Sequence, residues 1–217
     1  MFPVGAFAYS EGLETAAVRV APQDAAASGA LLRAWLDVSV DESIGRLEGP
    51  AVWLAWRAFQ ATEFDQLAVL DEELTALRPS ASARRSSRAM GLRLVTTWHV
   101  LHPDSRLEET LTRARQGTLG PALPIAFAGA CACSGVAQRA AVEAFAYTRL
   151  AATVSAAMRL MPIGQTAAHA LLSNALERVP AMVDALSTGD HPLESFTPAL
   201  DVAAMTQQYL HSRLFRS

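Results

Sequence analysis

The chain has no lysine: all 18 of its basic residues are arginine. That excludes a Walker A phosphate loop, whose lysine reaches the nucleotide phosphates. Schiff-base chemistry and Ser-x-x-Lys catalysis are excluded with it. Only two cysteines occur, Cys131 and Cys133, too few for a disulfide framework and fitting a reducing, cytoplasmic setting. Charged residues make up 18% of the chain and the formal net charge is −3, which argues against nucleic acid as a partner. No long apolar run is present. Leu119–Val136 comes nearest, but prolines and glycines divide it, so neither a membrane span nor a membrane partner is expected. No charged start followed by an apolar stretch marks a leader. Strand-like alternation is missing after residue 10.

What remains is rich in Ala, Leu and Arg, with 51% hydrophobic residues, a composition that favours helix. Apolar residues recur at helical spacing in successive windows. The spacing predicts helices over about 10–20, 24–44, 47–60, 62–77, 81–101, 103–115, 125–134 and 138–161, then others after the Pro162–Gln165 break, from Pro180 and from Thr197-Pro198. Ser10 reads as the N-cap of the first, and Thr62 with Asp65 as a weak capping box for the fourth. The expected fold is all-α: one bundle-like domain, 1–217, of roughly nine or ten helices. Low charge in such a protein implies apolar surface to be covered by partners or by a second copy.

One electrostatic oddity carries a local expectation. Arg84, Arg85 and Arg88 lie near the start of the fifth helix, and Asp71, Glu72 and Glu73 near the end of the fourth. Each cluster sits at the wrong pole of its helix dipole. An antiparallel hairpin turning at Pro79-Ser80 would bring the clusters together, with at least one contact at about 4 Å.

Independent chemistry has little support. Cys131 and Cys133 are two apart on a small-residue helix, so their sulfurs diverge, and tight helix packing explains them better than a metal. His99 and His102 have no carboxylate ligands nearby. His169 reads as a core residue, and His191 and His211 as loop and tail residues. No nucleophile elbow or pair of zinc-binding histidines occurs. The enzymatic alternative is a helical small-molecule-binding or lyase-like protein. It would require an enclosed pocket of about 300–1,000 Å³ around His99 or His169.

Two stretches stand out instead. The first is Phe2-Pro3-Val4-Gly5-Ala6-Phe7-Ala8-Tyr9-Ser10-Glu11-Gly12-Leu13-Glu14. Pro3 and Gly5 keep its start extended, and Phe7 and Tyr9 share a face. The second is the tail, Ser-Arg213-Leu214-Phe215-Arg216-Ser. Leu214 and Phe215 are apolar groups on a terminus, where order requires something to receive them. Docking on the chain's own domain and docking on a partner are both open.

Both stretches resemble signatures of the UreF family of urease accessory proteins. The first is similar to its Pro-Val-Gly-Gly-Phe-x-Tyr-Ser-x-Gly-Leu-Glu motif, the second to its chain-ending motif. Two internal segments agree: the Arg-rich Met90-Gly91 stretch, and Arg159-Leu160-Met161-Pro162-Ile163-Gly164-Gln165. A departure lies ahead of Tyr209, where the family often has a His-Glu pair. Thr206, Gln207 and Gln208 stand there, so no role resting on that carboxylate is carried over.

The resemblance implies a dimeric, non-enzymatic protein that joins a second scaffold protein (UreD/UreH type) and a GTPase (UreG type) to deliver nickel to apo-urease. GTP would be bound only by the partner, and nickel would pass through or near the complex without being held tightly. Pro3, Gly5, Phe7, Tyr9, Ser10, Glu11 and Gly12 would lie near the dimer or partner surface. Gly164 and Gln165 would shape a break facing a neighbouring chain. Arg213, Leu214, Phe215 and Arg216, within a docking tail of residues 209–217, would engage the scaffold protein.

Overall fold

A computed structural model describes residues 10–189 and 192–215. Among them there is helix and no strand. The helices are α1 (Leu13–Val20), α2 (Ala25–Val38), α3 (Gly49–Ala61), α4 (Phe64–Ala76), α5 (Ala81–Leu101), α6 (Ser105–Gln116), α7 (Leu123–Cys133), α8 (Gln138–Leu160), α9 (Gln165–Leu176), α10 (Val179–Ser187) and α11 (Pro198–Thr206). One contiguous core runs from Leu13 to Phe215. The all-α expectation holds.

The centre is α7, packed by α3, α5 and α8. Its sequence is apolar on every side, the mark of a helix surrounded by others. Ala126, Ala128, Ala130 and Ala132 are all buried, and Phe127 meets Phe145 edge-on with ring centroids 5.4 Å apart. The small side chains let α7 approach its neighbours closely. That packing accounts for Cys131 and Cys133, which are free thiols. Burial pushes their pKa values up to about 11 and about 12, so both stay protonated at neutral pH.

The second and third expected helices are joined by a π-helical run, Ser39–Glu48. Its cause is local and distant at once. Pro50 has no N–H to donate back to the Arg46 carbonyl. That carbonyl instead accepts from the N–H of Glu194, at 3.0 Å, while the Gly49 N–H reaches back five residues to Ile44.

Two helix starts differ from expectation. The hydroxyl of Ser10 is buried and makes no hydrogen bond among the described residues; Gly12, left-handed at φ 98°, occupies the N-cap of α1. Thr62 caps no helix start. It closes α3 in a left-handed conformation, because the two-residue link to α4 demands an immediate reversal, and Asp65 pairs with Arg113 at 2.6 Å instead.

The α4–α5 hairpin forms, and one contact spans it: Arg88 lies 4.0 Å from Asp71. Asp71 is buried, however, and works mainly as an acceptor for the loop before α7, from Ala122 N–H at 2.8 Å and Gly120 N–H at 3.3 Å. Burial pushes its carboxyl up to about 6, against the opposing pull of those N–H groups and Arg88. Between the ordinary carboxylate value near 4 and about 6, the folded chain therefore holds a proton that the unfolded chain releases. This group favours the fold most at low pH, and its contribution falls as pH rises through that window. Comparing wild type with Asp71→Asn by denaturant unfolding checks this. The wild type should lose up to about 3 kcal/mol relative to the variant between about pH 4 and pH 7, and a pH-independent difference would contradict it.

Candidate interaction site

The opening motif and the tail meet. Gly12 sits where the chain enters α1, against the backbone of α11; a Cβ there would lie 2.6 Å from the Ala204 nitrogen. The Gly12 N–H donates to Gln207 Oε1 at 3.0 Å, and Gln207 Nε2 donates to Glu14 Oε2 at 3.1 Å. Glu14, only 3% exposed, then receives two successive tail amides, Leu214 N–H at 2.5 Å and Phe215 N–H at 3.3 Å. A buried carboxylate is tolerable only when its lone pairs are satisfied, and here three donors satisfy them. The Phe215 ring is 4% exposed and lies beneath the Arg159 guanidinium, 4.6 Å from centroid to carbon, a cation–π contact.

The tail therefore docks on its own domain through Phe215. This corrects the expectation that Phe215 engages a partner. Its neighbour differs: Leu214 is 55% exposed and Tyr209 79% exposed, and Arg213 is exposed as well. Glu14 clamps the backbone at Leu214 and Phe215, and the Leu214 side chain stays exposed beside the buried Phe215 ring.

Beside this clamp lies a closed ionic network. Arg149, on α8, forks to both oxygens of Glu11, one at 2.6 Å, and its Nε reaches Glu48 at 3.1 Å. Arg78, from the α4–α5 turn, pairs with the other oxygen of Glu48. Burial raises the Glu11 carboxyl, but the charge and hydrogen bonds of Arg149, with Arg78 behind it, outweigh that and hold it below the usual range. The network flanks two small hollows of about 80 and 40 Å³.

Ser10 and Gly12 are buried, Gly12 against α11, while Glu11 reaches Arg149 on α8 and keeps its side chain one-third exposed. Glu11 and Gly12 thus meet elements that arrive from late in the chain. Gly164 and Gln165 are exposed at the α8–α9 break, where the Gly164 carbonyl accepts from Ala168 N–H at 3.0 Å. Pro3, Gly5, Phe7, Tyr9, Arg216 and His191 lie outside the described residues. His169, expected in the core, is exposed on α9. The larger hollows, about 430 and 440 Å³, are surface grooves lined by residues of α3, α4, the link between them and Arg113, and neither His99 nor His169 lines them. Among the described residues no three His, Cys, Asp or Glu side chains gather as metal ligands, and no helix is long and apolar enough to cross a membrane.

The comparisons with known proteins agree with the motifs. The family model for UreF matches residues 26–176. This chain belongs to the UreF family of urease accessory proteins. It is similar to the urease accessory protein UreF of Methylorubrum populi, 34% identical over 217 residues, which span all of this chain and 94% of that protein. The UreF of Nitrosococcus oceani is 32% identical over 99% of this chain and 93% of its own length. That of Methylibium petroleiphilum is 33% identical over 99% of this chain and 89% of its own length. UreF proteins are accessory proteins and not enzymes.

In this UreF-family chain, sequence reasoning missed Glu14 as the tail's receiver, and Glu48, Arg78, Arg149 and Gln207 as its surroundings. A faint signal existed for one. Arg149 falls on the helical stripe of Val142 and Phe145, where a lone cation is out of place unless something pairs with it.

Proposed function

We propose that this UreF-family protein bridges a scaffold protein of the UreD/UreH type and a GTPase of the UreG type, regulates that GTPase, and so supports nickel insertion into apo-urease. It does so as a cytoplasmic homodimer. GTP is held by the partner alone, and nickel passes in transit. The observation that carries this reading is the tail. Glu14 and Phe215 fix its backbone while Tyr209 and Leu214 stay exposed. An ordered terminus that displays apolar groups to solvent is suited to reception by another chain. Gly164 and Gln165, exposed at the α8–α9 break, supply a second partner contact, and Arg216 extends the tail's.

The test keeps Phe215 in place. Leu214→Asp, alone and with Tyr209→Ala, is titrated against the purified scaffold protein. Burying Leu214 on a partner is worth about 2 kcal/mol, so affinity should fall at least about tenfold, with helix content unchanged. Deleting residues 213–217 should abolish assembly, with some loss of stability because Phe215 leaves the core. Full assembly by the Leu214→Asp chain would defeat the tail assignment.

A further inference from the structure

Helix α5 is anomalous for this protein. Over its 21 residues it carries Arg84, Arg85, Arg88 and Arg93 and not one carboxylate, in a chain whose net charge is −3. Three of the four lie in its first half, where the helix dipole already presents positive charge. Part of the cost is met locally. Arg84 donates to the carbonyls of Arg78 and Pro79, at 2.6 and 2.9 Å, and Arg88 lies 4.0 Å from Asp71. Arg85 and Arg93 are exposed and have no ion pair among the described residues.

At 100° per residue, Arg85, Arg88, Ala89, Leu92, Arg93, Thr96 and Val100 share one stripe, and all seven are exposed. Leu92 is 43% and Val100 72% exposed. The stripe thus mixes apolar residues with guanidinium groups: Arg88 and Arg93 lie along its two edges, Arg85 lies on its midline at the N-terminal end, and Arg85 and Arg93 are separated by about 12 Å of helix. A local conflict kept without internal compensation marks a functional constraint.

We infer that the outer face of α5 is a docking surface for an acidic helical face of a different protein, with carboxylates about two turns apart beside an apolar strip. Arginine suits this partner because its planar fork takes carboxylates bidentately. A second copy of this chain is disfavoured: a two-fold contact through the stripe would set arginine against arginine. A nucleic acid is disfavoured by the net negative charge and by the apolar Leu92 between the arginines and Val100 at the far end of the stripe. The inference rests on the bridging reading, and places the acidic partner on a surface separate from the tail.

Purified scaffold protein, GTPase and apo-urease are each titrated against the full chain and against Arg85→Glu/Arg93→Glu, at about 50 and 300 mM salt. One of the three should lose at least about tenfold in affinity for the variant at low salt, with the gap narrowing at high salt. Thermal stability should be unchanged, since both residues are exposed and make no ion pair among the described residues. Arg85→Lys/Arg93→Lys should bind between the two. Equal binding of wild type and Glu variant by every partner overturns the inference and leaves the bridging reading intact. A single-stranded RNA probe is titrated alongside them, and a loss confined to that probe overturns the inference in favour of nucleic acid. If no partner binds the wild type, the bridging reading falls and the inference with it.

Discussion

Replacing Arg149 with Met should destabilise the fold by about 3–5 kcal/mol, the range for removing one partner of a buried ion pair. Arg149 is the hinge of the network that ties Glu11 to Glu48. Its side chain is 19% exposed and that of Glu48 only 4%. Without the guanidinium, Glu11, one-third exposed, has no ion pair left among the described residues, and the buried Glu48 keeps Arg78 alone. The cost comes from stranded carboxylates and not from lost attraction, and this makes a second measurement decisive. Glu11→Gln removes one stranded charge, so the double variant Arg149→Met/Glu11→Gln should recover part of the loss. A double-mutant cycle by denaturant unfolding would then show coupling of at least about 1 kcal/mol. If Arg149→Met unfolds within about 1 kcal/mol of wild type, the network contributes little to the fold.

Gly12→Ala should cost roughly 2–5 kcal/mol, from two sources. A left-handed φ is unfavourable for alanine by about 1–2 kcal/mol. The new Cβ would also lie 2.6 Å from the Ala204 nitrogen and 3.0 Å from its Cα, backbone atoms that cannot rotate aside, and such overpacking costs about 1–3 kcal/mol. Gly117 separates the two sources. It is left-handed as well, at φ 74°, but a Cβ there meets nothing within 4 Å. Gly117→Ala should show only the conformational part. The two variants should differ in a further respect. Displacing α11 weakens the Gln207–Glu14 relay, so Gly12→Ala should speed hydrogen exchange at the Leu214 and Phe215 amides, whereas Gly117→Ala should not. Equal losses from both substitutions would contradict the close approach of α1 and α11.

Both predictions concern one junction, and that junction explains how the opening motif and the tail come to be read together. Their residues were visible as signatures, but their roles were not. Ser10 has the chemistry of an N-cap, yet Gly12 takes that position because the Gln207 side chain arrives to accept its N–H. Phe215 has the chemistry of a docking anchor, yet its receiver is Glu14, 201 residues earlier. The departure ahead of Tyr209 has a structural job: the buried amide of Gln207 accepts on one side and donates on the other, linking the two ends.

What the sequence determined by itself is whatever depends on near neighbours. Helical periodicity placed α5 at 81–101 and the start of α8 at Gln138, because a 3.6-residue repeat is written into consecutive positions. Absent lysine, scarce charge and the small residues of α7 likewise bounded the chemistry and the packing without any knowledge of the fold. The tertiary structure alone decided the π-helical run, the ionic network and the side of the tail that faces outward. Each of these joins groups far apart in the chain: Arg46 with Glu194, Glu11 with Arg149, Glu14 with Phe215. A side chain's partner across such a distance is set by how helices pack, and packing is a property of all the interfaces at once.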